Sequence, residues 1–396
     1  MSFGPSAREM AHGHWQEILI AAGVREDLLV DHHGICPLCG SLDKDWFRFD
    51  DKDGRGTYIC AGCGAGDGFQ FLMRYQGTSS FMEAARFVEG FFKGQSKPIV
   101  PVKTIVTNQK DPQEEKKRIA HALQKAWSES KLVLKGDPVY RYLTETRGLP
   151  VEGLTDCLKC HHEMPYFKKE KAQNGKLVLR KKGSHPVMLA KVISPTGSPV
   201  GLHRTYLTKD GKKAPYAKTK KLMEGLGLHG GAIRLYPITS AVMGVAEGIE
   251  TSIAAHALTG VPTWATISST IMEGFEPPAE VKLVVIFVDH DRPDSRGRQA
   301  GFIAAKKLRE RMEERGTQVI LAVPKNIGTD MDDVWKSRKR ELAPDAPHVT
   351  LYADAKGWRV AQTIAARLQK RGVHPTVRAV SESETAEPSK KGREAA

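Results

Sequence analysis

The sequence is poor in cysteine and has no long apolar run. It holds six cysteines among 396 residues, and its first 14 residues lack the apolar segment behind a basic cluster that marks a secretory signal. No stretch approaches the roughly 20 apolar residues of a membrane-spanning helix. These absences argue against a membrane protein and against a secreted protein built on disulfides. We therefore expect a soluble, cytoplasmic protein with reduced cysteines.

Acidic residues are also in deficit. The chain has 60 Lys and Arg against 46 Asp and Glu, which gives a formal net charge of +14 at pH 7. An excess of this size favours polyanionic partners such as nucleic acids. With 40% hydrophobic residues over this length, the chain can form two or three domains with their own cores.

Four of the six cysteines form a metal-binding pattern. Cys36-Pro-Leu-Cys39 and Cys60-Ala-Gly-Cys63 are separated by a spacer of 20 residues. Two thiolates on one tight turn can occupy two corners of a tetrahedron, and a second such turn completes it. We therefore predict that Cys36, Cys39, Cys60 and Cys63 bind one structural Zn²⁺.

The segment between the two cysteine pairs is predicted to form a β-hairpin, because two short alternating runs flank a cluster of turn residues. The hairpin carries Trp46, Arg48 and Tyr58. Aromatic side chains beside arginine can stack on the bases of a single strand, so we predict that these three residues contact nucleic acid. Phe47 and Phe49 are predicted to pack inside the zinc domain instead.

The other two cysteines, Cys157 and Cys160, precede His161 and His162. This order would suit a second zinc site, but no matching second pair stands nearby. We expect an ordinary strand in which both cysteines act as small apolar residues. The sequence alone leaves metal binding there open.

Acidic residues follow each of three predicted strands in the last large part of the chain. The strands are short apolar runs at 241–246, 283–288 and 319–323. Glu247 follows the first, Asp289 and Asp291 follow the second, and Asp330 comes after the third. Since the carboxyl ends of parallel strands share one edge, we expect these carboxylates to meet and to bind Mg²⁺ or Mn²⁺. A pair of such ions supports phosphoryl-type transfer chemistry.

Lysine and arginine crowd the segment before these strands. The residues are Lys168, Lys169, Lys171, Arg180, Lys181, Lys182, Lys209, Lys212, Lys213, Lys218, Lys220 and Lys221. Each one alone is typical of a solvated surface, whereas the set suggests a track that binds phosphates.

Together these motifs resemble the Toprim family, as found in DnaG-type primases and most closely in the primases of phages and plasmids. The resemblance covers about residues 34–335. Its motifs are His33-Gly-Ile-Cys-Pro-Leu-Cys-Gly40, Gly54-Arg-Gly-Thr-Tyr-Ile-Cys60, Gly64-Ala-Gly-Asp-Gly68, His203-Arg-Thr-Tyr-Leu207 with Asp210, Gly211 and Lys213, Val245-Ala-Glu-Gly-Ile-Glu-Thr251, Val288-Asp-His-Asp291 and Gly328-Thr-Asp-Met-Asp-Asp-Val334. The resemblance implies an RNA polymerase that makes primers on single-stranded DNA from ribonucleoside triphosphates.

The resemblance also implies roles for individual residues. Glu247 would act in acid/base chemistry or bind metal, and Asp289, Asp291, Asp330 and Asp333 would hold the metals, with Glu247, Asp289 and Asp291 catalytic. The basic residues expected to contact template or nucleotide are Arg204, Lys213, Lys218 and Lys221. Two departures are the longer turn after Asp291 and the absence of a Gly-x4-Gly-Lys-Ser/Thr phosphate loop. We therefore expect any replicative helicase to be a separate protein.

The predicted fold is multidomain, with a β-rich zinc ribbon, a basic α+β subdomain and an α/β Toprim domain with a central parallel sheet. The predicted segments are a zinc-ribbon template-binding domain (1–95), a linker (96–113), a helical and basic part of the polymerase core (114–238), the Toprim domain (239–345), a C-terminal βαβ extension (346–380) and a disordered tail (381–396). The sequence does not decide whether the extension joins the Toprim sheet or forms a docking module.

Two other functions are compatible with parts of the pattern. Recombination mediators without catalytic activity also combine a four-cysteine zinc site with a Toprim fold, but their zinc site lies close to the Toprim domain. Here some 180 residues separate the two. A Toprim topoisomerase would need a tyrosine in a cleavage domain, for which Tyr206 is the candidate although no such domain is evident.

Overall fold

The computed structural model describes residues 6–39, 47–60, 64–78, 80–94, 112–171, 177–295, 297–338 and 342–380. The chain divides into two compact units, Met1–Glu115 and Lys116–Ala396. Within the described residues, no helix is long and apolar enough to cross a bilayer.

The first unit packs four helices around a small sheet. Its elements are α1 (Ala7–Ala11), α2 (Trp15–Ala21), β1 (Phe47–Phe49), β2 (Tyr58–Cys60), β3 (Gly64–Gly66), α3 (Gly68–Gln76) and α4 (Phe81–Phe92). The strands pair antiparallel in the order β1-β2-β3. A Cβ atom at Gly68 would lie 2.0 Å from the Trp15 ring, so only glycine lets α3 begin there.

The first part of the second unit is an antiparallel sheet with helices. Its elements are α5 (Pro112–Ser128), β4 (Lys131–Leu132), α6 (Pro138–Arg141) continued by a π-helical turn (Tyr142–Thr146), β5 (Leu158–Lys171), β6 (Leu177–Ile193), β7 (Pro199–Tyr206) and β8 (Lys220–Leu222). The strand order is β4-β5-β6-β7-β8. The apolar stripe of α5 packs on one face of this sheet through Ile119, Leu123 and Ala126.

The second part of this unit is an α/β domain. Its elements are β9 (Val242–Ala246), α7 (Ile249–Thr259), β10 (Thr263–Ala265), α8 (Ser269–Glu273), β11 (Leu283–Phe287), α9 (Ala300–Glu314), β12 (Gln318–Pro324), α10 (Met331–Ser337), β13 (His348–Ala353), α11 (Trp358–Lys370) and β14 (His374–Ala379). The six-stranded sheet has the order β10-β9-β11-β12-β13-β14. β10, β9, β11 and β12 are parallel, whereas β13 runs antiparallel to β12.

The predicted fold class is confirmed. The three strands predicted at 241–246, 283–288 and 319–323 are β9, β11 and β12, and their side chains are largely buried on both faces. The C-terminal extension joins the sheet through β13 and β14, which the sequence left undecided. Most of the predicted linker and all of the predicted tail lie outside the described residues.

Candidate functional site

Three cysteine thiols of the first unit converge. One ligand atom each from Cys36, Cys39 and Cys60 lies within 4.8 Å of the others, and 3.8 Å separates the Sγ atoms of Cys39 and Cys60. Zn–S bonds of about 2.3 Å place the corners of a tetrahedron about 3.8 Å apart, whereas a disulfide would bring the sulfurs to about 2.05 Å. The spacing therefore fits zinc. Cys63, the predicted fourth ligand, lies outside the described residues.

The hairpin between the cysteine pairs corrects one prediction. Tyr58 is only 2% exposed, its ring packs against Phe71, and its hydroxyl accepts a hydrogen bond from Arg74. A side chain in this position cannot stack on a base without opening the core, so the predicted contact between Tyr58 and nucleic acid is wrong. Phe47 and Phe49 are buried, as predicted.

The outward face of the same hairpin carries a different pair. Arg48 lies opposite Ile59, which is 50% exposed. The guanidinium of Arg48 lies 3.1 Å from Asp31 and 3.3 Å from Asp50, so two carboxylates already compensate its charge. Its role toward nucleic acid stays a prediction, and Trp46 lies outside the described residues.

The carboxylates predicted to bind metal meet at the carboxyl-terminal edge of the parallel strands. Glu247 follows β9, Asp289 and Asp291 follow β11, and Asp330 begins α10 after β12. Negative charge on Asp330, Glu247 and Asp291 acts on Asp289. The fold thus places three of the other predicted carboxylates where their charges act on Asp289.

Asp289 is the most strongly perturbed member of this group. Burial raises its pKa to about 8, and the charges of Asp330, Glu247 and Asp291 reinforce the shift. Burial and the charge of Asp291 also raise the pKa of Glu247. Among the described residues, Asp289 Oδ1 is buried without a hydrogen-bond partner. A buried, unpaired carboxylate oxygen beside other acids fits a hard divalent cation.

The carboxylates do not form a closed cage. In the part of the chain that the structure describes, only the three cysteines form a group of three ligand atoms within 4.8 Å of one another. Mg²⁺ commonly binds through one or two carboxylates and keeps several waters. The open arrangement of these acids is therefore compatible with a divalent cation that keeps several of its waters.

Contacts between loops hold the carboxylates in place. The backbone N–H of His290 donates to Thr329 O (3.1 Å), and His290 Nδ1 lies 2.8 Å from Pro324 O. Thr251 Oγ1 donates to Asp330 Oδ2 (2.9 Å). A Cβ atom at Gly301 would lie 2.7 Å from Asp289 O, so this glycine lets α9 approach the Asp289 loop.

Asp333 has a different observed role. Its Oδ2 accepts a hydrogen bond from the Asp330 N–H (3.2 Å), and its own N–H donates to Asp330 Oδ1 (3.0 Å). This capping box fixes the first turn of α10. Asp333 therefore orients Asp330, while its predicted role as a metal ligand stays a prediction.

Sequence reasoning missed an ion pair beside the carboxylates. Lys220 Nζ lies 2.8 Å from Glu250 Oε2, and Tyr142 Oη donates to Glu250 Oε1. Burial alone would raise the pKa of Glu250, but the charge and hydrogen bond of Lys220 and the Tyr142 hydroxyl lower it. Lys220 also acts electrostatically on Asp289 and Glu247. Glu250 is thus the ionised partner of Lys220.

The polar contacts continue from Tyr142 to α10. Arg147 Nε donates to Tyr142 Oη (3.1 Å), and Arg147 Nη1 lies 2.7 Å from Asp332 Oδ2. Lys336 also contacts Asp332, which is buried. These contacts join the helical and sheet part of the second unit to its α/β domain through charged groups.

The predicted basic residues lie on different faces of the antiparallel sheet. Lys220 pairs with Thr205 and faces Glu250, whereas Lys221 pairs with Arg204. Lys221 Nζ lies 3.6 Å from the centre of the Tyr166 ring, and Arg204 donates to Tyr206 Oη and Leu222 O. Alternation along β8 therefore turns Lys220 toward the carboxylates and Lys221 away from them.

Two further basic residues differ in their surroundings. Partial burial and the charges of Arg147 and Lys220 lower the pKa of Lys213. Lys218 is exposed, and its backbone carbonyl accepts from Tyr166 Oη (2.9 Å). The predicted roles of Lys213 and Lys218 toward nucleic acid or nucleotide stay predictions.

Cys157 and Cys160 lie in the hydrophobic core beside β5. Burial raises the pKa of Cys157 to about 11 and that of Cys160 to about 12, so both thiols hold their protons at neutral pH. Neither belongs to a metal-binding group within the described residues. Both cysteines fill space in the core, as expected.

Family comparisons agree with these two sites. Residues 31–69 match the zinc-binding domain of primase-helicase, and residues 242–341 match the Toprim domain. The chain therefore contains a zinc-binding segment of the primase-helicase type and a Toprim domain. Between these domains, residues 117–235 match a domain of unknown function, DUF7146.

Solved primase structures are similar at low identity. The zinc-binding and RNA polymerase domains of the Aquifex aeolicus primase match with 16% identity and a TM-score of 0.35, covering 84% of this chain and 82% of that one. A DNA primase domain from Pseudomonas aeruginosa matches with 15% identity and a TM-score of 0.36, covering 55% and 74%. Because these TM-scores are low, the assignment of the zinc-binding and Toprim domains rests on the two family matches and on the site residues.

Proposed function

We propose that this chain is a DNA primase that synthesises short RNA primers on single-stranded DNA by metal-dependent nucleotidyl transfer. The observation that carries the proposal is the meeting of Glu247, Asp289, Asp291 and Asp330 at one strand edge, with an unpaired buried oxygen on Asp289. The zinc-binding domain of the primase-helicase type supports it independently.

The carboxylates would hold the catalytic cations. Divalent ions bound there would polarise phosphoryl oxygens and neutralise the charge of a departing pyrophosphate. Glu247 is half-buried, and its raised pKa moves it toward the neutral range in which a general base works best. We assign it the removal of the proton from the attacking hydroxyl, and we assign metal binding to Asp289, Asp291 and Asp330.

The basic residues on the Toprim side of the sheet would bind the nucleotide. Lys220 is held by Glu250 next to the carboxylate group, and Lys213 lies close to Lys220 and Arg147. Ammonium groups so placed can contact triphosphate oxygens as they approach the bound cations. We assign Lys213 and Lys220 this role.

The zinc domain would recognise the template. The convergence of three thiols supports a rigid zinc ribbon, and its hairpin presents Arg48 and Ile59 outward. From the resemblance to phage and plasmid primases, we add to the proposal that the chain acts in the replication of such elements together with a replicative helicase.

The test is synthesis of new RNA on single-stranded DNA. Purified full-length protein is incubated with a circular single-stranded template, four ribonucleotides, one of them labelled, and Mg²⁺. Short products that disappear when one ribonucleotide or Mg²⁺ is omitted would support the proposal. Tight binding to the template without any product would contradict it and favour a recombination mediator.

A further inference from the structure

The β5–β6 hairpin extends well beyond the sheet that carries it. In the described residues, β6 pairs with β7 from Val187 to Ile193, whereas the pairing of β5 with β6 continues to Lys171 and Leu177. The outer part is therefore a two-stranded ribbon with both faces open. It lies within the matched domain of unknown function.

The two faces of this ribbon differ. Phe167 lies opposite Lys181, and Lys169 lies opposite Leu179, so these four side chains share one face, here called the mixed face. The opposite face carries the pairs Lys168 with Arg180 and Glu170 with Val178.

The mixed face is exposed and its charges are uncompensated. Phe167 is 42% and Leu179 is 65% exposed. In the described part of the chain, Lys169 and Lys181 take part in no ion pair. On the opposite face, Glu170 lies 2.7 Å from Lys182 and 3.9 Å from Arg180. The mixed face therefore combines large exposed apolar side chains with lysines that no carboxylate pairs among the described residues.

The base of the ribbon is held rigidly. Tyr166 stacks on Tyr216 at 3.8 Å, and Lys221 covers the Tyr166 ring and donates to the Phe167 carbonyl. Tyr216 Oη donates to Lys182 O (3.1 Å). These contacts fix the backbone of Phe167 while leaving its ring open.

We infer that the mixed face of the β5–β6 ribbon binds single-stranded nucleic acid. An exposed aromatic ring can stack on a base of any sequence, and adjacent lysines can neutralise the phosphates on either side. Phe167 would take the stacked base, Leu179 would contact its neighbour, and Lys169 and Lys181 would contact the backbone. The identification of that strand as template DNA rests on the proposed primase function.

The test compares two variants that lose equal charge. Lys169→Ala with Lys181→Ala removes the cations of the mixed face, and Lys168→Ala with Arg180→Ala removes two from the opposite face. Binding of a labelled single-stranded oligonucleotide to the full-length chain is measured by fluorescence anisotropy over a salt series, without nucleotides or divalent metal. The first variant should reduce the magnitude of the log–log salt slope by about 1.4, and the second should change it little.

A stacking variant separates base contact from charge. Phe167→Ala should weaken binding by about 5- to 150-fold without changing the salt slope, while Phe167→Trp should retain binding. Because Phe167 is exposed, circular dichroism should show an unchanged fold for both variants.

Three results would overturn the inference. The first is an equal loss of binding in both charge variants, and the second is unchanged binding by Phe167→Ala. The third is that the substitutions weaken binding to duplex DNA only. Since the assay contains no nucleotides or metal, its outcome is independent of primer synthesis. Loss of binding by the ribbon in an active polymerase, and intact binding by the ribbon in an inactive chain, are therefore distinguishable.

Discussion

Lys220 and Glu250 form an ion pair of 2.8 Å that joins β8 to the first turn of α7. Glu250 is buried, whereas the side chain of Lys220 is 40% exposed. The pair therefore satisfies a buried carboxylate, while part of the Lys220 side chain stays exposed to solvent. It fixes the position of a cation beside the proposed metal site.

Replacing Lys220 should cost stability as well as activity. Lys220→Met leaves Glu250 buried with Tyr142 as its remaining partner, so we expect a loss of about 3 kcal/mol in the free energy of unfolding. Urea denaturation measures this loss. Lys218→Met, at an exposed lysine two residues earlier in the chain, is the matched control and should cost less than about 1 kcal/mol. Equal effects would show that Lys220 has no special role.

Acid should destabilise the fold through His203. Burial and the charge of Lys220 lower the pKa of His203 to about 4, below the value of about 6.5 expected when unfolded. The unfolded chain binds the proton more readily, so stability contributed by neutral His203 is complete above pH 6.5 and falls as the pH drops toward 4. Between pH 6.5 and 4, His203→Gln should lose less free energy of unfolding than the wild type, by at most about 3 kcal/mol. An unchanged difference between wild type and variant from pH 7 to 4.5 would contradict the assignment.

Gly301→Ala should disturb metal binding without removing a ligand. The added Cβ would lie 2.7 Å from Asp289 O and 3.3 Å from Asp291 Oδ2, so the loop must shift. We expect the Mg²⁺ concentration for half-maximal primer synthesis to rise several-fold. Ala300→Ser, an exposed change on the preceding residue, is the control. A normal Mg²⁺ dependence in Gly301→Ala would show that the loop tolerates the shift.

Zinc content should depend on the first four cysteines only. Cys60→Ser removes a thiolate that lies 3.8 Å from Cys39 Sγ, so the variant should lose its zinc when analysed by elemental mass spectrometry. Cys157→Ala removes a buried thiol of the second unit and should keep one zinc per chain. Zinc retained by Cys60→Ser, or lost from Cys157→Ala, would require a different ligand set.

The grouping of residues that follow the carboxyl ends of strands could be predicted from the sequence. Glu247, Asp289, Asp291 and Asp330 could be grouped because parallel strands place their carboxyl ends on one edge. The neighbouring Lys220 could not be chosen over Lys221, because a shift of one residue in register exchanges the faces of a strand. For the same reason, Tyr58 was predicted to lie on the exposed face of its strand, whereas its side chain is buried in the structure.

The long ribbon escaped prediction for a different reason. Its outer residues put lysine on both faces, so no apolar alternation marks the strands. Without that signal the basic run indicated only a charged surface. The pairing that separates Phe167 and Leu179 from Glu170 comes from the fold alone.

The most direct test of the central claim is Mg²⁺-dependent primer synthesis by Asp289→Asn beside Asp294→Asn. Both variants replace one carboxyl group of the loop that follows β11, but only Asp289 belongs to the carboxylate group. Loss of metal and transition-state stabilisation should reduce synthesis by Asp289→Asn at least about 100-fold, with zinc content and fold unchanged, while Asp294→Asn remains active. Wild-type primer yield from folded Asp289→Asn would contradict the proposed metal site.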